Sequence, residues 1–184
     1  MQRAGRTIWF VLAGWLVLVA ITACGSNGPP KLQPSQTSPT PAPSSAPASG
    51  KPQVLARQAY LGMWHAFVAA SRTADYQSAS LAHYAAGDAL SLLTHGLYQN
   101  YRNGIVTRGQ PSFHPDVTVA SSNGAAVQAT VVDCADSSHW IDYYKSGKPA
   151  PGEAQGRQRI NARLQPFDGE WKVTYLVVEK VGTC

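Results

Sequence analysis

Hydrophobic positions change their spacing along the chain, and each change predicts a different kind of segment. Residues 8–21 form an apolar run of about 14 residues, shorter than the ~20 that span a bilayer. Residues 25–50 carry few large apolar side chains and most of the chain's proline. From Pro52 the spacing becomes helical. Leu55, Ala59, Met63 and Phe67 recur every fourth position with Trp64 beside them, the apolar stripe of a helix whose first turn suits Pro52. A second helix is expected over residues 76–85 and a third after Gly87. In the third, Leu90, Leu93, Leu97 and Tyr101 share a face, and Gly104 stands where a C-terminal cap belongs.

Beyond residue 112 the period falls to two. Phe113, Val117 and Val119 alternate with His114, Asp116 and Thr118, and Asn123 with Gly124 makes a hairpin turn. Val127, Ala129 and Val131 alternate on the next strand. A long Gly- and Pro-rich loop over residues 136–156 is expected to carry a short strand at residues 140–144. Ile160, Ala162 and Leu164 alternate with Arg159, Asn161 and Arg163. After a turn at Asp168 and Gly169, Trp171, Val173, Tyr175 and Val177 are expected on one face. Helices first and an antiparallel sheet afterwards is an α+β layout.

Two resemblances follow from these segments. Arg3 and Arg6 precede the apolar run, which ends Ile21-Thr22-Ala23-Cys24-Gly25. This resembles the bacterial lipobox at the end of a secretory signal. The resemblance implies a signal peptide over residues 1–23, cleavage before Cys24 and acyl chains (palmitate among them) on and around its sulfur. Two or more such chains hold a protein stably at a membrane. The expected location is the extracytoplasmic face of the cell membrane. The alternatives are a plain signal peptide with an incidental Cys24, and an uncleaved signal anchor.

The second resemblance spans residues 52–184. Tyr60, Trp64 and Phe67 lie on the first helix. The run Tyr84-Ala85-Ala86-Gly87-Asp88-Ala89-Leu90 opens the third helix, and Asp168-Gly169-Glu170-Trp171-Lys172-Val173 leads into the last strand. Together these resemble the NTF2-like (SnoaL-like, cystatin-like) cone family, and the order is similar to small domains on actinobacterial lipoproteins. The resemblance implies N-terminal helices packed on a curved antiparallel sheet, with a cone mouth that often holds a ligand. Residues 24–51 then form a disordered Pro/Ser-rich tether, read as a solvated linker or as a stalk through part of a cell wall.

Charge narrows the partners. The chain carries +5 overall. Without Arg3 and Arg6 the mature part carries 13 basic against 10 acidic residues, a net of +3. No basic cluster falls on a predicted helix, so nucleic acid is not expected as a partner. With Cys24 lipidated, Cys134 and Cys184 remain, and an even pair in an exported domain reads as a disulfide. A redox-active pair is the sharper alternative, but the close C-x-x-C spacing it uses is missing. No ligand spacing surrounds either cysteine, so no metal is expected.

Catalytic motifs are equally scarce. The sequence holds no G-x-S-x-G, P-loop, H-E-x-x-H or Rossmann glycine pattern, and nothing calls for a cofactor. An inward carboxylate or histidine in the cone is what acid/base chemistry would need. The candidates are His65 beside Trp64, the pair His114 and Asp116, and Asp133, read as a turn carboxylate at a strand end. Tyr60, Trp64, His65 and Phe67 are the candidate pocket residues, although the aromatics serve equally well to fill the cone. The leading expectation is a non-catalytic binding or accessory module that engages an envelope protein, with homodimerisation through the sheet as one arrangement. The alternative is a carrier of a small apolar ligand, or a SnoaL-like enzyme.

Overall fold

The computed structural model describes residues 50–152 and 154–184. The expected signal peptide, Cys24 and nearly all of the expected tether lie outside the described residues.

Three helices come first: α1 (Lys51–Ser71), α2 (Ala79–Tyr84) and α3 (Gly87–Asn103). Pro52 occupies the first turn of α1, where its missing N–H costs nothing, and Gly104 caps α3 in the left-handed conformation at φ 66°. The buried stripe of α1 is Ala56, Ala59, Tyr60, Met63 and Trp64. It is rotated one position from the stripe expected, and Leu55 is 40% exposed. Tyr101 at the end of α3 is also exposed, its ring centroid 5.2 Å from that of Tyr76 and 5.1 Å from Lys145 Nζ.

Six strands follow: β1 (Ile105–Gly109), β2 (Asp116–Ser122), β3 (Ala125–Asp136), β4 (Trp140–Tyr144), β5 (Arg157–Phe167) and β6 (Glu170–Val181). Four of them pair in the order β2-β3-β5-β6, antiparallel throughout, and β1 pairs with β4 in a separate two-stranded ribbon. Ala129, Val131, Ile160, Ala162, Leu164, Trp171, Val173 and Leu176 form one buried face, against which the stripes of α1 and α3 pack. This is the α+β cone layout expected: helices on one face of an antiparallel sheet that bulges bend.

Two bulges correct the strand parity read from sequence. Ala120 faces Gln128 while Ser121 faces Ala126, so Val127 is left unpaired and turns outward at 44% exposure. Arg163 faces Tyr175 while Leu164 faces Val173. The extra residue, Thr174, moves Tyr175 and Val177 to the outer face and brings Leu176 inside.

Long-range hydrogen bonds fix the first helix to the sheet edge. Gln53 Nε2 donates to the Val117 carbonyl at 2.6 Å, and the Arg57 guanidinium donates to the carbonyl of Pro115. At the far side of the sheet Lys172 Nζ donates to the Ala82 carbonyl at 2.8 Å, holding α2 against β6. Cys134 and Cys184 are joined in a disulfide with Cα atoms 5.9 Å apart. On the outer face two polar residues of β5 find partners on β6. Asn161 Nδ2 donates to Glu179 Oε1 at 2.7 Å, and the Arg163 guanidinium lies 4.3 Å from the Tyr175 ring centroid.

Candidate functional site

The cone is open. A cavity of about 760 Å³ lies where α1, α3, the β1–β4 ribbon and the ends of β3, β5 and β6 converge. That volume falls in the range of small-molecule sites. The local sequence explains the space: α3 presents Gly96, with no side chain, where neighbouring turns present Leu93 and Asn100.

Four aromatic rings form one wall. Trp64 stacks on Phe113 with centroids 5.1 Å apart and planes 21° apart. Phe67 meets Trp64 edge-on at 5.8 Å, and Trp140 meets Phe67 at 5.8 Å. Offset and edge contacts of this kind hold rings in defined positions. Two indole N–H groups in this wall, of Trp64 and Trp140, are buried without a hydrogen-bond partner among the described residues. The Trp64 N–H faces the Tyr60 hydroxyl without reaching hydrogen-bond geometry.

Among the described lining residues Asp142 alone is ionisable. It stands on β4 two residues from Trp140, so the pleat turns both to one face. The buried Thr107, its register partner on β1, donates from Oγ1 to Asp142 Oδ1 at 2.6 Å. Ser137 exchanges three hydrogen bonds with Gly156 and closes the base of the segment between β3 and β5 that carries β4.

The residues singled out from sequence are distributed differently. Trp64 and Phe67 do line the cavity. Tyr60 does not: it is fully buried behind that wall, and its hydroxyl donates to Asp133 Oδ2 at 2.9 Å. Burial first, and the Asp133 carboxylate next, push the Tyr60 hydroxyl well above its ordinary pKa. Asp133 is not a turn residue. β3 runs on to Asp136, which leaves Asp133 inward and 1% exposed, with Oδ1 accepting from the His114 backbone N–H at 2.8 Å. His65 is exposed on the opposite side of α1, and His114, just before the edge strand β2, and Asp116, its first residue, are exposed. Asp142 escaped the sequence reading, although its parity with Trp140 was the available signal. Among the described residues no group of three His, Cys, Asp or Glu side chains could hold a metal ion.

No protein-family model and no curated protein matches the chain. Solved structures similar to it include the intermembrane space region of the chloroplast protein ARC6, at 17% identity and TM-score 0.42, covering 68% of this chain and 96% of that one. Aln2 from a Streptomyces species is similar at 13% identity and TM-score 0.46, over 72% of this chain and 93% of that one. A protein described as an aromatic ring hydroxylase from Novosphingobium aromaticivorans is similar at 12% identity and TM-score 0.44, over 69% and 90% of the two chains. Likenesses this distant leave the functional reading to the cavity itself.

Proposed function

We propose that this protein is a lipid-anchored binding module of the extracytoplasmic membrane face, whose cone takes up a small, largely apolar ligand without transforming it. The observation that carries the reading is the open cavity of about 760 Å³, walled by aromatic rings. Binding rather than catalysis is favoured because Asp142 has no second acid or base beside it among the described lining residues. In this reading acyl chains on Cys24 hold the protein at the membrane, and the Pro/Ser-rich tether sets the domain's reach. Contact with an envelope protein, or pairing of two copies, would then use surfaces outside the cone.

Gly96 supplies the test. It lines the cavity, and a Cβ built there meets no atom within 4 Å. Gly96→Leu therefore fills the space while improving the helix propensity of α3 by about 1 kcal/mol. The wild-type chain should bind a neutral naphthylamine dye with a rise in dye emission. Gly96→Leu should lose that response while melting no lower than the wild type. Equal dye binding by both proteins would place the dye elsewhere and remove the support for the cavity.

A further inference from the structure

Charge in the cavity narrows the ligand further. Among the described lining residues there is no Lys, Arg or His, and one carboxylate, Asp142. Asp142 makes no ion pair with any described residue, since the pair His83–Glu170 alone meets ion-pair distance among them. Its Oδ1 accepts from Thr107, whose hydroxyl is buried and whose position is fixed by the β1–β4 register. Its Oδ2 lies 3.8 Å from the point where a Gly152 Cβ would stand, with Gln155 Nε2 3.7 Å from the same point, which sets it beside the loop that borders the mouth.

Three ligand classes meet different outcomes here. An anion in the cavity would face Asp142 with no compensating cation in the described wall, and repulsion strengthens as water is displaced. A neutral body would strip water from the carboxylate and return nothing. An organic cation would replace that water with an opposite charge, and the faces of Phe67, Phe113 and Trp140 would add attraction through their ring quadrupoles.

We infer that the cone's ligand is an organic cation: a hydrocarbon or aromatic body bearing a protonated amine or quaternary ammonium, its charge set against Asp142 and its body against the ring wall. This rests on the cavity being a ligand site, and the test separates the two ideas. Three probes of one shape are titrated calorimetrically into the full chain in neutral detergent, with micelle blanks. They are phenylpropyltrimethylammonium, its uncharged isostere in which a tert-butyl group replaces the ammonium, and phenylpropylsulfonate.

The ammonium should bind about tenfold more tightly than the isostere, with the sulfonate weakest. Asp142→Asn keeps an oxygen to accept from Thr107 and should erase the preference, leaving isostere affinity within about twofold of wild type. Equal affinity of ammonium and isostere in the wild type overturns the inference and leaves the cavity reading standing. So does a preference that survives Asp142→Asn. Failure of all three probes to bind overturns both.

Discussion

At the scale of single residues, the most constrained group is a carboxylate away from the cavity. Asp133 is buried and accepts from the Tyr60 hydroxyl and the His114 backbone N–H. Tyr60→Phe would remove one of those donors and nothing else of similar size. The expected cost is about 1–3 kcal/mol, read as a lower urea midpoint. The pair also gives the protein an alkaline limit. The Tyr60 hydroxyl is raised above its ordinary 10.0 in the fold, so the unfolded chain ionises first as pH rises. Its contribution is complete below about pH 10 and is lost as pH climbs beyond that. Urea midpoints measured upward from about pH 9 should fall, and Tyr60→Phe should flatten that part of the curve. Asp133 was hard to place from sequence because period-two parity says which face a residue takes, not where its strand ends. Trp64 and Phe67 were legible as pocket candidates because helical spacing fixed them on one face. His65 is their neighbour in sequence, and on a helix that turns it away.

At the scale of elements, the cavity depends on the β1–β4 ribbon, which places Thr107, Trp140 and Asp142. Its tightest point is the pairing of Gly109 with Trp140, where Gly109 adopts φ 82° and a Cβ would lie 1.8 Å from the carbonyl oxygen of His139. Gly109→Ala should therefore cost about 2–4 kcal/mol, from strain at positive φ and from displacing the partner backbone. In thermal melts it should be far more damaging than Gly124→Ala, at a hairpin tip where nothing lies within 4 Å. β4 was legible because two aromatic-rich positions flank an alternating run between turn residues. β1 was not: Ile105 and Val106 give way at once to Thr107 and Arg108, too short a run to show a period. The two bulges were also hidden. A single inserted residue reverses inside and outside for everything beyond it, and alternation alone cannot announce where that occurs.

At the scale of the whole molecule, the disulfide joins Cys134 on β3 to Cys184 across 50 residues of sequence. A loop of that length gives about 4 kcal/mol by chain entropy, an upper figure because unfolded chains retain structure. Replacing both cysteines by alanine should lower the unfolding free energy by about 2–4 kcal/mol. Intact mass gives the matching check. Reduction should add two hydrogens to the wild-type domain and leave the double variant unchanged. Helices before sheet, and the pairing of the two cysteines, were both legible, since each follows from order and count. The opening of the cone was not, because whether aromatic side chains fill a space or wall it depends on what faces them, here the missing side chain of Gly96.

The ring wall has one further consequence. Of the chain's five tryptophans, Trp9 and Trp15 fall in the N-terminal apolar run, and two of the remaining three, Trp64 and Trp140, border the cavity. Indole emission shifts with the polarity around the ring, so whatever enters the cone changes the protein's own fluorescence. The cavity therefore carries its own optical sensor, and its occupancy can be followed without attaching a label.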